Sequence, residues 1–387
     1  MLPKKIKLCK LCGVNYHLVS ETFYPEINGV SMTLHRLLLG LQKEGFETTI
    51  IRPRQKNEQA NHFPYKEHLV AGIPIPYYPE LRFGITTTNH LKKIWRAERP
   101  TLVHIATEGP LGLCALRAAK SLEIPVISSF HTNFHQYGKY YKLPFLIKGA
   151  FAYLRYFHNR TRATYAPSDD LIENLKAAGF KNLRKMERGV DAQLFNPSKR
   201  SSELRLSWGA NKETPVFAYV GRIASEKNIP FALKCFQEVK KKLPEAMMIV
   251  VGDGPLRKEL EKIYPEVTFC GLQKGEALAQ HYASSDVFIF PSITETFGNV
   301  VTEAMASGLI VAAYDYAAGK LLIEDGINGT VASFDNQEHY LANLIQLISK
   351  RAIWPAMREK SRARIEDISW ESITNNYIAN LKKDLSW

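Results

Sequence analysis

Short apolar runs alternate with amphipathic helical patterns through most of this chain, and few folds satisfy such an alternation. A strand buried on both faces of a parallel sheet is a nearly continuous apolar run, and a helix usually connects it to the next strand. The first half contains the strand-like runs NYHLVS, FETTIIRP, TLVHIA and PVISSF, and its leucines at 34, 37, 38 and 41 share one helical face. The pattern predicts an α/β fold with parallel sheets covered on both faces.

The alternation occurs twice along the chain. A polar, turn-rich segment at 191–215 separates the two series, and 387 residues are more than a single core usually holds. We therefore predict two tandem Rossmann-like, doubly wound domains, over 1–195 and 196–365, that face each other across a cleft. Residues 366–387 are predicted to form a C-terminal helix, and a crossing back onto the first domain is one option for it.

The net charge of +13 implies an anionic partner, which is a nucleic acid, an anionic membrane or a phosphorylated substrate. The basic residues are dispersed and no nucleic-acid reading motif is present, so we expect no nucleic acid. No apolar stretch approaches the roughly 20 residues of a spanning helix, and the N-terminus lacks a clear cleavage site. Five cysteines fit a reducing compartment, and nothing completes a zinc site with Cys9 and Cys12. We predict a cytoplasmic protein, with peripheral contact to the inner face of the membrane as an option.

The segment SITETFGNVVTEAMASG places one glutamate before a helix and a second inside it. Glu295 falls in the loop after the strand DVFIFP, and Glu303 falls in the second turn of the following helix. A helix N-terminus favours an anion, and a loop carboxylate accepts hydrogen bonds from vicinal hydroxyl groups. On spacing alone, a helix cap and a surface residue are the better explanation of the pair, and only the neighbouring motifs favour a site.

The segment YVGRIASEKN places two cations around another strand end. Arg222 follows the strand, and Lys227 precedes the next helix, so the two are placed to grip a diphosphate. The alternative is a surface pair beside a helix-capping Asn228. The nearby turn VVGDGPL has neither the GxGxxG nor the Walker spacing, which removes the main support for hydride transfer and ATP hydrolysis.

In the first domain, two loops at strand ends carry candidate site residues. Gly29 follows Asn28 in a tight turn whose amides open onto a helix, and His131 lies at the carboxyl end of a buried strand. A hydrogen-bonded structural role is the alternative for His131. His135 and Tyr137 are weaker candidates for site residues than His131.

Six motifs occur in one order between residue 20 and about residue 330. They are ETFYPEINGV, FHTNFHQY, ERGVDAQLFNP, GRIASEKN, VVGDGPLR and PSITETFGNVVTEAMASG. Together they resemble the GT-B glycosyltransferases of family 4, which are retaining nucleotide-sugar transferases, and especially the bacterial branch that makes mannosyl and glucosyl lipids. The resemblance implies an acceptor domain first and a nucleotide-sugar donor domain second.

The resemblance also assigns roles in the second domain. Glu295 would face the hydroxyls of the donor sugar and orient it, with the backbone near Phe297 and Gly298 helping. Glu303 would hold the ribose of the nucleotide. The family often has a glycine pair after the next strand, where this chain has Ala317 and Ala318 followed by glycine; the fit of that loop to the donor is therefore open.

Four further residues receive roles by the same resemblance. Arg222 and Lys227 would neutralise the departing diphosphate, Gly29 would let a loop close over it, and His131 would lie by the reacting carbon near the sugar's primary hydroxyl. No metal and no cofactor other than the nucleotide-sugar substrate is expected, because the cations and amides supply the charge stabilisation.

We therefore predict an enzyme that moves a hexose, with mannose from GDP-mannose preferred, to a hydroxyl of a lipid or glycolipid acceptor. The alternatives are a UDP-sugar-dependent transferase of polysaccharide or glycolipid assembly and a non-catalytic nucleotide-sugar-binding scaffold. The motif order argues against a phosphorylase or an epimerase. The segment LPFLIKGAFAYLRYFHNRTRA, with basic residues at 148, 155, 160 and 162, either contacts an anionic membrane or forms a buried helix with a basic outer face.

Overall fold

The computed structural model describes residues 13–24, 26, 28–55, 63–75, 78–131, 144–295 and 297–385. Cys9, Cys12, His135 and Tyr137 lie outside these ranges. The chain divides into two compact units, Met1–Arg188 with Trp370–Trp387, and Gly189–Ser369. In the part of the chain that is described, no helix is both long and apolar enough to cross a membrane.

The first unit contains a sheet of eight strands among the described residues. Strands β1 to β8 are Asn15–Val19, Glu47–Pro53, Lys66–Ile75, Tyr78–Ile85, Leu102–Ile105, Val126–Ser129, Thr164–Ala166 and Leu183–Lys185. They pair in the order β4-β3-β2-β1-β5-β6-β7-β8. All pairings are parallel except that of β3 with β4, which is an antiparallel hairpin. The order reverses direction between β1 and β5.

The hairpin of β3 and β4 has no counterpart in the predicted alternation. Its segment contains prolines at 74, 76 and 79 and no long apolar run. Ile73 in β3 is 54% exposed, as expected of a strand near a sheet edge. Edge strands of this kind lack the continuous apolar character by which buried strands are found.

The helices of the first unit cover this sheet. Helices α1 to α5 are Gly29–Lys43, Thr88–Ala97, Pro110–Ser121, Pro144–His158 and Asp169–Ala177. Asn28 caps α1, because its side chain accepts from the backbone N–H groups of Val30 and Ser31. The four leucines that predicted one helical face in α1 are fully buried.

The second unit has a parallel sheet in the Rossmann order. Strands β9 to β14 are Val216–Val220, Met247–Val251, Thr268–Gly271, Val287–Phe290, Ile310–Tyr314 and Gly329–Ala332. They pair in the order β11-β10-β9-β12-β13-β14, and every pairing is parallel. Helices α6 to α13 are Ser202–Ser207, Ile229–Lys242, Arg257–Ile263, Gly275–Ala283, Asn299–Ala306, Ala318–Leu322, Gln337–Ser349 and Trp354–Ala363.

The strand order of the second sheet reverses between β9 and β12, which makes this the topological switch point. Open α/β sheets bind ligands outside the carboxyl ends of their strands at such a point. The loop after β9 contains Arg222 and Lys227, and the loop after β12 contains Glu295. The topology therefore places the predicted diphosphate and sugar residues on neighbouring loops.

A buried charge cluster joins several elements of the second unit ahead of β12. Asp286 is 8% exposed and accepts hydrogen bonds from Arg200 and Arg358, each at 3.0 Å. Its other oxygen accepts from the backbone of Val216 at 2.9 Å and lies 3.5 Å from Arg205. One carboxylate thus compensates three partly buried guanidinium groups.

The final helix, α14 (Trp370–Leu385), packs within the first unit against α1. The hydroxyl of Tyr377 lies 2.8 Å from that of Tyr16 in β1. Near the end of α14, Asp384 accepts hydrogen bonds from Tyr165 and Arg184. The first unit is therefore built from both ends of the chain.

Candidate active site

Lys227 and Glu295 form an ion pair at the switch point of the second sheet. The Lys227 Nζ atom lies 2.5 Å from Glu295 Oε1, and the Ser292 hydroxyl donates to the same oxygen at 2.8 Å. The two charged side chains are 23% and 14% exposed, so water screens the pair less than it would at the open surface. The structure therefore brings together a cation and a carboxylate that the sequence placed on separate loops.

Arg222 also lies on the loop after β9, but its side chain is more exposed to solvent than that of Lys227. Its side chain is 46% exposed, and its Nη1 lies 3.3 Å from Glu226 Oε1. Its backbone carbonyl accepts from the Tyr219 hydroxyl at 3.0 Å, which holds the loop at the end of β9. An exposed guanidinium at this strand end is placed to meet an anionic ligand.

Asn228 does not cap the following helix with its side chain, contrary to one interpretation of the sequence. It adopts a left-handed conformation with φ 55°, and its side chain donates to the Pro291 carbonyl at 3.2 Å. The Thr294 hydroxyl donates to the Glu226 carbonyl at 2.7 Å. These two hydrogen bonds link the loop after β9 to the loop after β12. They thereby fix the relative positions of Lys227 and Glu295.

The glycines of VVGDGPL are explained by close packing of two loops. A Cβ atom on Gly252 would lie 1.9 Å from the Gly221 carbonyl oxygen, and one on Gly254 would lie 2.3 Å from that of Ile223. Only glycine permits backbones to approach so closely. The turn therefore supports the loop that contains Arg222.

The loop at Phe297 and Gly298 leads into α10 as predicted. Gly298 has φ 96°, a conformation that favours glycine, and it immediately precedes the helix. Phe297 is 2% exposed and packs in the hydrophobic core of the second unit. Glu303, in the second turn of α10, accepts from the buried Tyr282 hydroxyl at 3.0 Å.

A pocket opens beside Glu295 in the second unit. Its lining includes Ser292, Glu295, Gly298, Tyr316, Ala317 and Gly319. The Tyr316 hydroxyl donates to the Glu295 carbonyl at 2.6 Å, so the loop after β13 supports the loop after β12. Phe334 is 47% exposed, and its ring centroid lies 4.8 Å from that of Tyr316.

Ala317 has φ 50° and ψ −127°, a backbone conformation that normally requires glycine. The adjacent Ala318 N–H donates to the Phe297 carbonyl at 2.7 Å, and this bond holds the strained segment against the Glu295 loop. The sequence marked the alanines as a departure from the family. It gave no signal for Tyr316, because a tyrosine after a strand is ordinary.

In the first unit, a buried arginine joins the two loops that contain Gly29 and His131. The Arg188 Nη1 atom donates to the Gly29 carbonyl at 3.0 Å and to the Thr33 hydroxyl at 2.9 Å. Its Nη2 donates to His131 Nδ1 at 3.4 Å. Burial, and then the charge of Arg188, hold the pKa of His131 well below its usual value. Arg188 lies in ERGVDAQLFNP, but the sequence cannot show contacts to residues so distant along the chain.

A second residue that sequence analysis did not assign is Glu21, at the end of β1. Its Oε1 accepts from the backbone N–H groups of Leu111 at 3.1 Å and Gly84 at 3.3 Å. Burial raises its pKa to about 7. Nearby, Glu108 lies 3.0 Å from the buried His158. Carboxylates therefore line the switch point of the first sheet.

Solved structures share the fold of this chain over nearly its whole length. Sucrose-phosphate synthase from Thermosynechococcus elongatus superimposes with a TM-score of 0.78 at 16% identity, covering 96% of this chain and 99% of that chain. Anabaena HepE in complex with UDP and glucose gives 0.75 at 17% identity, covering 95% and 100%. The chain therefore has the GT-B glycosyltransferase fold, as predicted.

Sequence comparisons define the family. The family models described as Glycosyltransferase Family 4 and Glycosyl transferases group 1 match residues 27–194 and 201–367. A GDP-mannose-dependent alpha-mannosyltransferase of Mycobacterium tuberculosis is 33% identical over 87% of this chain and 88% of its own length. The alpha-monoglucosyldiacylglycerol synthase of Streptococcus pneumoniae is 27% identical over 95% and 88%. This chain belongs to glycosyltransferase family 4, and the predicted enzyme class is confirmed.

Proposed function

We propose that this enzyme transfers a hexose to a hydroxyl of a lipid or glycolipid, with retention at the anomeric carbon. The preferred sugar is mannose, and the preferred donor is GDP-mannose. The observation that carries the proposal is the Lys227–Glu295 pair beside the pocket of the second unit. A diphosphate needs a cation, and a sugar needs oxygen acceptors for its hydroxyls. Lys227 supplies the cation and Glu295 supplies the oxygen acceptors, and one hydrogen bond joins the two side chains.

The reaction breaks the bond between the anomeric carbon and the diphosphate oxygen. Lys227 and Arg222 stabilise the negative charge of the nucleotide diphosphate as it leaves. The acceptor hydroxyl forms the new bond on the same face of an oxocarbenium-like centre, and its proton passes to the departing phosphate oxygen. Glu295 orients the sugar through its hydroxyls, and Glu303 holds the ribose.

The preference for mannose and GDP is supported by the relatives that share about a third of this sequence. The proteins of Mycobacterium tuberculosis and Corynebacterium glutamicum, 33% and 30% identical, are both named GDP-mannose-dependent alpha-mannosyltransferases. A UDP-sugar-dependent glucosyltransferase is the second candidate. It is favoured by the glucosyldiacylglycerol synthases among the relatives.

The first unit is proposed to bind the acceptor and to contact an anionic membrane through α4. This helix buries Leu154 and Phe157, while Lys148, Arg155 and Tyr156 are exposed. The Arg160 guanidinium lies 3.6 Å from the centre of the Tyr156 ring. A basic face with an exposed aromatic residue suits the anionic inner surface of the membrane. Flotation with anionic and with zwitterionic vesicles tests this step, and equal absence of binding would contradict it.

The first experiment measures nucleotide release from a panel of GDP- and UDP-sugars, with and without a membrane lipid extract. We expect release from one donor, dependent on the extract, and loss of that release in Glu295→Ala. Lys241→Ala removes an exposed lysine of α7 that pairs with Glu238, and it serves as the control. No release from any donor by the folded protein would overturn the enzymatic proposal in favour of a binding scaffold.

A further inference from the structure

Arg188 is a buried cation, 3% exposed, whose guanidinium contacts three residues in two parts of the first unit. Its Nη1 bonds the Gly29 carbonyl and the Thr33 hydroxyl of α1, and its Nη2 reaches His131 Nδ1 at 3.4 Å. A guanidinium in this network has a fixed orientation, because its planar fork is set by the two acceptors on α1. The His131 ring is therefore held by a rigid donor.

The chemistry of the contact decides which ring nitrogen carries the proton. A guanidinium has N–H donors and no acceptor, and it does not lose its proton in a protein. The Nδ1 atom of His131 must therefore accept, which requires a neutral ring with the proton on Nε2. The hydrogen bond to Arg188 thus selects one of the two neutral tautomers.

Burial and the charge of Arg188 favour the same neutral state. Burial lowers the pKa of His131 most, the positive charge of Arg188 comes next, and His104 on β5 and His158 at the end of α4 act in the same direction. The Nε2 atom is itself buried and has no hydrogen-bond partner among the described residues. A buried donor normally has a partner, so Nε2–H is available to an oxygen atom of a ligand.

We propose that Arg188 is a positioning residue that holds His131 as a neutral Nε2–H donor to an oxygen of the bound carbohydrate substrate. The role of this donor in catalysis rests on the proposed transfer of a hexose. A neutral donor binds a hydroxyl oxygen without placing a full positive charge near an oxocarbenium-like centre. Loss of Arg188 permits both the other tautomer and the imidazolium, and each is less suited to that task.

Long-range proton–nitrogen correlation spectra of the nitrogen-labelled full chain read the tautomer directly. The His131 signals are assigned by their loss in His131→Gln. We expect the Nε2–H tautomer from about pH 5 to 8 in the wild type. In Arg188→Met, which lacks both charge and donor, we expect mixed tautomers and a His131 pKa that is higher than in the wild type but still below the ordinary value, because the ring remains buried. Arg188→Lys should restore part of the wild-type behaviour, because it keeps the charge.

The kinetic readout is the pH profile of kcat with the donor found in the nucleotide-release panel. We expect Arg188→Met to be about tenfold slower than wild type near neutral pH and to gain an acid limb that the wild type lacks. Arg184→Met is the matched control, since Arg184 lies on β8 and bonds Asp384. The control should leave both the His131 signals and the profile unchanged.

Two results would overturn the inference. One is an Nδ1–H tautomer in the wild type; the other is a folded Arg188→Met with the wild-type titration and pH profile. If Arg188→Met does not fold, Thr33→Val removes one Nη1 acceptor and should shift the His131 signals in the same direction. Failure of the proposed function is distinguishable, because an absence of sugar transfer leaves the tautomer measurement intact.

Discussion

Lys227 Nζ and Glu295 Oε1 lie 2.5 Å apart, although 68 positions separate the two residues in the sequence. The loops after β9 and β12 meet because those strands are neighbours in the sheet. The pair is assembled by the protein itself, so a ligand meets preorganised charges. Preorganised charge costs no rearrangement during the reaction, which makes it an effective form of stabilisation.

We predict that Lys227→Ala and Glu295→Ala each lower kcat by about 10² to 10³-fold without unfolding the protein. The double variant should lose less than the product of the single losses, because residues in direct contact are coupled. Initial rates of nucleotide release, with circular dichroism for folding, measure this. Strict multiplicativity of the two effects would show that the ion pair is not functional.

Tyr316→Phe removes only the hydroxyl that supports the Glu295 carbonyl. We expect kcat to fall by about five- to tenfold, which corresponds to about 1 kcal/mol for one hydrogen bond. Tyr264 is the residue directly after α8, and Tyr264→Phe, which also removes one hydroxyl, is the matched control. An unchanged kcat in Tyr316→Phe would mean that the Glu295 loop keeps its position without this bond.

Replacing Ala317 or Ala318 by glycine is expected to change the free energy of unfolding in opposite directions. Ala317→Gly relieves a residue at φ 50° and should raise the free energy of unfolding by about 1 kcal/mol. Ala318→Gly affects the first residue of a helix, so it should lower that free energy by up to about 1 kcal/mol. Urea unfolding followed by circular dichroism compares the two. Destabilisation by both substitutions would argue that Ala317 is not strained.

Asp286→Ala should lower the free energy of unfolding by about 3 to 5 kcal/mol, because three guanidinium groups lose their shared carboxylate. Glu238→Ala, which breaks an exposed pair with Lys241, should change it by less than about 0.5 kcal/mol. Thermal unfolding of both variants measures the contrast. Similar melting temperatures for the two would contradict a structural role for Asp286.

Glu21 should make stability depend on pH. Because its pKa rises from 4.5 to about 7 on folding, the folded state binds more protons between those values, and stability falls as pH rises through that window. Glu21→Gln removes this dependence. Relative to wild type, the variant should gain up to about 3 kcal/mol of unfolding free energy between pH 4.5 and 8. Parallel pH curves for the two proteins would exclude a raised pKa.

The sequence by itself determined the class of fold and the order of most elements. Continuous apolar runs and leucines on one helical face report burial directly, because a buried strand or helix face must be apolar wherever it lies. The positions of Arg222, Lys227 and Glu295 after strands also followed from this pattern. The edge hairpin of β3 and β4 did not, because partly exposed strands lack that signature.

Only the tertiary structure decided which side chains meet. Tyr316 supports Glu295, Arg188 contacts His131, and Asp286 gathers three arginines, and none of these contacts has a local sequence signal. Strand order joins residues that are distant in the chain, and hydrogen bonds depend on ångström-scale distances that periodicity does not encode. Local pattern specifies burial, whereas the chemistry of the site arises from long-range packing.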